Sequence, residues 1–296
     1  MYRIRKWGPA LLLVSPSLAA LGVFVYGFLG WNLRVSVSDW RGFRPTYAYA
    51  GFHNYTRLQD DSRFTNDVTN LVVFTTVFVV GALVVGFLLA ALLERGVRGE
   101  GFFRGVFLFP MAISFIATAI VWRWLLNNAG GSQQTGFNKL FDSMGLGFLA
   151  NDWFKAERPW AVAAVAIPAG WALCGYIMAL FLAGMRGVSD DLREAARVDG
   201  ANEPRVFWYI VRPMLVPVVM SAVVILAHIS LKTFDLIYAL DQESRRIETP
   251  ALYMWFTTFD GLNFSRGAAI ATLLVVGISL IIVPYIWYSV RSERRT

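Results

Sequence analysis

The stretch RGVSDDLREAARVDGANEPRVFWYIVRP, residues 186–213, decides the fold of this chain. It is polar and helix-forming, and it separates two apolar runs, 161–185 and 214–231, that are each long enough to cross a membrane. Ser189 can cap a helix, and Gly200 can end it because it has no Cβ. A polar helical segment between two membrane spans predicts a surface that a partner protein binds.

The composition places the whole chain in a membrane. Of its 296 residues 56% are hydrophobic and only 16% are charged, and the mean hydropathy is +0.51. The apolar residues fall in blocks that can each cross about 30 Å of hydrocarbon. We therefore predict an all-α membrane protein, a single transmembrane domain over 1–296, with six transmembrane helices at about 7–33, 71–93, 106–126, 161–185, 214–231 and 268–290.

The positive charges predict the orientation of these spans. Lys and Arg are more than twice as dense in 1–6, 94–105, 186–213 and 291–296 as in the longer connections between the other span ends. Cytoplasmic loops carry this excess, so both termini are expected in the cytoplasm and the first span reads as an uncleaved signal anchor. The net charge is +7, but the Lys and Arg residues are distributed according to the predicted membrane topology. The charge therefore does not indicate a nucleic-acid partner.

Several kinds of chemistry are excluded by what the sequence lacks. Cys174 is the only cysteine, and His53 and His228 are the only histidines, so neither an intrachain disulfide nor a Cys/His metal cluster is expected. The chain has no G-x-x-x-x-G-K-[ST] loop to hold a nucleotide. No bound cofactor and no catalytic residue are expected, and an ATP-driven process would need ATP on another subunit.

The first helix of 186–213 has a small, weakly apolar face. Leu192, Ala195, Ala196 and Asp199 recur at i, i+3, i+4 and i+7, and Glu194 and Arg197 lie at the edge, where they can form charge-assisted hydrogen bonds. A second short helix is expected from its cap Asn202 to Ile210, with Pro213 starting the next span. The alternative is a solvated helix at the membrane surface whose alanines serve helix propensity alone.

The order Glu194-Ala195-Ala196, Gly200, Ile210 and Pro213 resembles the EAA loop of ABC-importer permeases, with Arg212 where that family usually has Leu. Further similarities tie the chain to the carbohydrate-uptake branch, and they include Gly51–Tyr55, Phe103–Pro110, Val121–Trp124, Ala183–Gly184, Asp199–Ala201 and Phe234–Tyr238. Within that branch, Val97–Gly101 and Ala227–Tyr238 look like glucose/mannose importer permeases. The branch's usual Thr-x-Gly-Gly-Pro is replaced here by Asp241–Arg246.

The resemblance implies an assembly in the bacterial inner membrane. This chain would pair with a second permease, rest its EAA loop on a dimer of cytoplasmic ATPases that bind ATP and Mg, and receive sugar from an extracytoplasmic sugar-binding protein. Glu194 would meet a basic residue of the ATPase, and Gly200 would form the bend. The residues implied for coupling are Glu194, Ala195, Ala196, Asp199 and Gly200.

A polar run at the end of the fifth span indicates a substrate path, since polar groups at membrane depth usually face an aqueous cavity. By similarity to maltose-type permeases, the residues implied for sugar contact are Tyr176, Ile229, Ser230 and Thr233. Lys232 and Asp235 have another interpretation, a pair that snorkels to the outer interface. Trp122 to Trp124 likewise suit an interfacial aromatic belt more than a binding site.

Two rival functions remain on the sequence alone. An ion-gradient-driven secondary transporter would use Lys232 and Asp235 as its coupling pair, but no inverted repeat supports it. A membrane scaffold that transports nothing would show no sugar-stimulated ATPase activity in its complex.

Overall fold

The computed structural model describes residues 2–293, with side chains for 12–131, 133–287 and 291. Over that range the chain is helical and has no β-strand, with isolated bridges at Ser38 to Tyr49 and Arg41 to Asn263. The α-helices are α1 (Tyr2–Leu21), α2 (Phe28–Ser36), α3 (His53–Gln59), α4 (Ser62–Glu94), α5 (Glu100–Leu108), α6 (Phe115–Leu125), α7 (Gly136–Ser143), α8 (Trp160–Arg186), α9 (Asp190–Val198), α10 (Glu203–Val206), α11 (Arg212–Leu231), α12 (Asp235–Asp241), α13 (Pro250–Trp255) and α14 (Phe264–Glu293).

The predicted all-α class is confirmed. In the described part of the chain, five helical stretches are long and apolar enough to cross a membrane: Leu12–Ser36, Ser62–Glu94, Trp160–Arg186, Glu203–Leu231 and Phe264–Trp287. Several of them extend beyond the apolar blocks that marked them in the sequence, because backbone hydrogen bonding continues where side chains turn polar. α4, for example, begins nine residues before the predicted start at 71.

The third predicted span, 106–126, is not a straight helix. Glu100–Ala112 and Phe115–Leu125 are bent by 100° at a short break. Pro110 lies in a tight 3-10 turn, Ile113 is extended, and Ser114 then starts α6 by accepting a hydrogen bond from the backbone N–H of Ala117 at 3.2 Å. Proline cannot donate a backbone hydrogen bond, which favours a break in the helix at Pro110. The Ser114 cap stabilises the start of a new helix because it satisfies a free backbone N–H, so the apolar run divides into two helices.

The predicted break between a short helix ending at Ile210 and a span starting at Pro213 is wrong. α10, a π-helical stretch Phe207–Val211 and α11 form one continuous helix, Glu203–Leu231. In this stretch the N–H of Arg212 bonds to the carbonyl of Phe207, five residues earlier. The wider π turn accommodates Pro213 without ending the helix.

The chain divides into two compact units. The first runs up to Thr65 and includes Tyr253–Val276. Its core contains Leu58, Ala269 and Ile270, and the buried amide of Asn54 donates to the carbonyls of Ser36 and Ser38 at 2.9 and 2.8 Å. Asn54 belongs to α3, so these two bonds tie α3 to the end of α2.

A polar cluster in the same unit centres on Asp61. Its carboxylate accepts hydrogen bonds from the Tyr253 hydroxyl at 2.6 Å and the Arg63 backbone N–H at 2.9 Å, and it pairs with the Arg266 guanidinium. Burial raises the pKa of Asp61, but these donors and the Arg266 charge outweigh it and leave the pKa below 3.8. Burial and the bond to Asp61 raise the pKa of Tyr253 to about 12.

The second unit includes Asn66–Leu252 and continues from Gly277, and within it α8 contacts α5, α6 and α11. Much of α8 is buried, and glycines let other helices approach it closely. A Cβ on Gly86 would lie 2.7 Å from the side chain of Ile177, and one on Gly184 would lie 2.8 Å from Leu215. Small residues therefore fix the packing of α4 and α11 against α8.

Candidate functional site

Helix α9 forms the centre of the 186–213 segment. Ser189 occupies the capping position with extended backbone angles, φ −61° and ψ 141°, but its side chain makes no capping hydrogen bond. Asp190 and Asp191 supply negative charge to the first turn and Arg197 positive charge to the last, which matches the helix dipole at both ends.

The predicted docking residues lie on the surface of the chain. Glu194, Ala195 and Asp199 are exposed, and Ala196 is half-buried. Two apolar side chains are also exposed on α9, Leu192 at 48% and Val198 at 88%. Since exposed apolar groups rimmed by charge are typical of protein interfaces, the surface of α9 is suited to a partner.

Gly200 ends α9 in the geometry that its residue type predicts. Its φ is +84°, and the N–H of Ala201 bonds to the carbonyl of Ala196 at 2.9 Å while the N–H of Gly200 bonds to that of Arg197 at 3.0 Å. These two bonds form a Schellman motif. Asn202 then accepts from the Arg205 N–H at 3.1 Å and starts the next helix, so the predicted bend at Gly200 is confirmed.

An ion pair that sequence reasoning missed holds α9 to the bundle. The Arg193 guanidinium lies 2.8 Å from the Glu94 carboxylate at the end of α4 and donates to the carbonyl of Met185 in α8 at 2.6 Å. Arg193 is only 18% exposed. In the sequence, one arginine among several in a polar segment carries no sign of this role, because Glu94 lies 99 residues away.

Arg197, expected at the edge of the docking face, is instead engaged within the segment. Its Nε lies 2.8 Å from the carboxylate of Glu203. That hydrogen bond and the Glu203 charge raise the pKa of Arg197. The pair bridges the bend at Gly200, while Glu194 makes no ion pair with another described residue and stays available to a partner.

The residues predicted to contact substrate lie at the end of α11 and in α8. Ser230 is buried; its hydroxyl donates to the carbonyl of Ala227 at 2.8 Å and accepts from Thr75 of α4 at 2.8 Å. Thr233 is also buried and donates to the carbonyl of Ile229 at 3.0 Å. Ile229 itself is half-buried. In this conformation both hydroxyl groups donate their protons to backbone carbonyls near the end of α11.

Tyr176 is half-buried in α8, directly after a close helix contact. A Cβ on the preceding residue, Gly175, would lie 2.5 Å from the carbonyl carbon of Phe107 and 3.0 Å from the nitrogen of Leu108. The contact between α5 and α8 therefore sets the position of the tyrosine.

The polar and aromatic side chains near the predicted outer ends of the spans differ in their contacts and burial. Within the described residues, Lys232 and Asp235 form no ion pair with each other, so neither the snorkelling pair nor the rival coupling pair is seen. Trp122 is buried and packs edge-on against Trp171 with ring centroids 5.8 Å apart, whereas Trp124 is 58% exposed.

Comparison with known proteins places this geometry in a family. Residues 82–296 match the family described as binding-protein-dependent transport system inner membrane component. A probable ABC transporter permease of Pyrococcus horikoshii is 36% identical over 287 residues, covering 96% of this chain and 97% of the other. A xylose/arabinose import permease of Haloferax volcanii is 33% identical over 294 residues, covering 97% and 87%.

A solved structure supports the fold. The bacterial alginate ABC transporter, crystallised with its alginate pentasaccharide-bound periplasmic protein, superimposes with a TM-score of 0.76 over 96% of this chain and 94% of that one, at 19% identity. The family match covers most of the chain, and it agrees with the helical fold and with the apolar spans. This multi-pass membrane protein belongs to the family of binding-protein-dependent transport system inner membrane components, as a permease of the carbohydrate-uptake ABC importers.

Proposed function

We propose that this sugar permease imports a monosaccharide such as glucose or mannose, as a single permease domain paired with a second, similar permease. The motifs Val97–Gly101 and Ala227–Tyr238 support this substrate class. The Haloferax relative is named for xylose and arabinose, which are also monosaccharides. An extracytoplasmic binding protein delivers the sugar, by analogy with the alginate transporter and its periplasmic protein.

Energy enters through α9. Its exposed face, with Glu194 toward a basic residue, rests in a cleft of the cytoplasmic ATPase dimer. ATP and Mg bind to those subunits, and this chain binds no cofactor and catalyses no covalent reaction. The observation that carries this proposal is that α9 is exposed on one face and attached to the bundle through the contacts of Arg193 with Glu94 and Met185. A helix that transmits movement from a partner needs both an exposed binding face and a fixed attachment.

In the inner membrane the chain crosses six times with both termini in the cytoplasm. The bent pair Glu100–Ala112 and Phe115–Leu125 counts as the remaining span. With that count, 94–105 and 186–213 fall on the cytoplasmic side, which agrees with their density of Lys and Arg.

Sugar passes along Tyr176, Ile229, Ser230 and Thr233. Because the two hydroxyls donate to backbone carbonyls of α11, they meet sugar hydroxyls as acceptors, while Tyr176 and Ile229 provide apolar surface. Closure of the ATPases on ATP turns the permease pair from inward-facing to outward-facing.

The test is reconstitution of the chain with its partner permease, ATPases and binding protein in proteoliposomes. Glu194→Lys and Gly200→Val are expected to abolish ATP-driven uptake and to reduce co-purification of the ATPases while leaving membrane insertion intact. Asp60→Lys, the same charge reversal at an exposed residue of the predicted outer side, should co-purify the ATPases as wild type does. Normal uptake by well-inserted Glu194→Lys would refute the coupling role.

A further inference from the structure

A polar cavity of about 530 Å³ lies at the outer end of α6, away from the predicted substrate path. Its volume falls within the roughly 300–1,000 Å³ of small-molecule sites. Helix α6 and the residues after it contribute one wall, the turn at Trp153–Lys155 a second, and the end of α12 a third. The lining residues are Ile120, Arg123, Trp124, Asn127, Phe154, Lys155, Asp241 and Glu243.

The segment Asp241–Arg246, unusual for the sugar-permease branch, forms part of this cavity and is tied down. Arg246 donates to the carbonyls of Lys155 and Ala156 at 2.7 and 3.3 Å and lies 3.3 Å from the Glu157 carboxylate. Phe154 is buried beneath. The walls are therefore held together by contacts between loops.

Four charged side chains of both signs line the cavity, and among the described residues none of them forms a side-chain ion pair or hydrogen bond. They are Arg123, Lys155, Asp241 and Glu243. A bound cation would use only the carboxylates of Asp241 and Glu243, and a bound anion would use only the side chains of Arg123 and Lys155. Donors and acceptors together, beside the exposed indole of Trp124, match a neutral molecule with many hydroxyl groups and an apolar face.

We propose that this cavity is an entry subsite for the sugar on the outer face of the permease, an inference that rests on the proposed import function. The indole of Trp124 stacks on the C–H face of the ring. Asp241 and Glu243 accept hydrogen bonds from the sugar hydroxyls, and Arg123 and Lys155 donate to them. Sugar leaving the binding protein is held here before it reaches the path at the end of α11.

The experiment uses the full importer in proteoliposomes, with glucose-loaded binding protein titrated against the uptake rate. Trp124→Ala and the double variant Asp241→Asn with Glu243→Gln are expected to raise the half-saturating concentration about tenfold, since each loses contacts to the sugar. Trp160→Ala is the matched control, because Trp160 is 72% exposed and does not line the cavity. A half-saturating concentration that is unchanged in both cavity variants would overturn the proposal.

Two further measurements separate the alternatives. Affinity for sugar-free binding protein should be the same in wild type and Trp124→Ala; equal weakening for loaded and empty forms would make the cavity a protein-docking surface and refute a sugar subsite. Saturation-transfer NMR of glucose with the purified permease reads the cavity without transport. A weaker signal in Trp124→Ala than in wild type supports the subsite, and equal signals overturn it. Absence of monosaccharide uptake by wild type refutes only the import proposal.

Discussion

Replacing Gly175 with alanine should disturb the contact between α5 and α8 beside Tyr176. The added Cβ would overlap the carbonyl group of Phe107 and lie 3.0 Å from the nitrogen of Leu108. Both are backbone atoms, so no side chain can rotate away. The helices must separate, and Tyr176 must move with α8.

The magnitude follows from a matched pair on the same helix. Gly170 in α8 has no atom within 4 Å of where a Cβ would stand, so Gly170→Ala meets no obstacle and gains about 0.5–1 kcal/mol of helix propensity. Gly175→Ala has the same propensity gain, but overpacking costs about 1–3 kcal/mol. The difference between the two variants isolates the steric cost and should be about 1–3 kcal/mol in favour of Gly170→Ala.

Thermal unfolding of the purified permease complex in nanodiscs measures this difference, and sugar uptake measures its consequence. Gly170→Ala should match or exceed wild type in both. Gly175→Ala should unfold several degrees lower and transport more slowly. If the two alanine variants unfold at the same temperature, the close approach of α5 and α8 is not as described, and the argument for how Tyr176 is positioned fails.

Three other predictions concern the attachment of α9, the polar cluster around Asp61 and the bend at Gly200. Arg193→Met removes the pair with Glu94 and should lower stability by about 1–3 kcal/mol and uncouple ATPase stimulation from sugar; unaltered unfolding and coupling would contradict this. The pKa of Asp61 is lowered in the fold, so its stabilising contribution is present above about pH 4 and is lost as the pH falls through the folded pKa. Asp61→Asn should therefore lower the unfolding temperature at pH 7, and the difference from wild type should shrink in acid. A difference that does not depend on pH would disprove this. Gly200→Asn should retain most uptake where Gly200→Val does not, because asparagine tolerates positive φ; equal loss in both would argue against a conformational cause.

Much of the fold could be predicted from the sequence because apolar length and caps are local signals. The spans in α4, α8 and α14 follow from hydropathy. The end of α9 follows from Gly200, because glycine adopts a positive φ more readily than residues with a Cβ. Each of these features depends on residues that are contiguous in the sequence.

The rest depends on contacts or backbone choices that composition does not record. Hydropathy treats 106–126 as one apolar run, and only the caps around Pro110 and Ser114 reveal the 100° bend. The pair Arg193 with Glu94 joins residues far apart in sequence. The cavity at the end of α6 likewise assembles from three separate segments, so Trp124 alone suggested only an interfacial belt.

The continuity of the helix through Pro213 changes how the proposed coupling works mechanically. A break there would have placed a hinge between the polar segment and the fifth span. Instead Glu203–Leu231 is one helix of 29 residues, about 43 Å long at 1.5 Å per residue, with the bend at Gly200 before its start and Ser230 near its end. In the proposed coupling, movement of α9 would reach the predicted sugar path through one continuous helix, whose hydrogen bonding departs from the α-helical pattern at the π turns of Phe207–Val211.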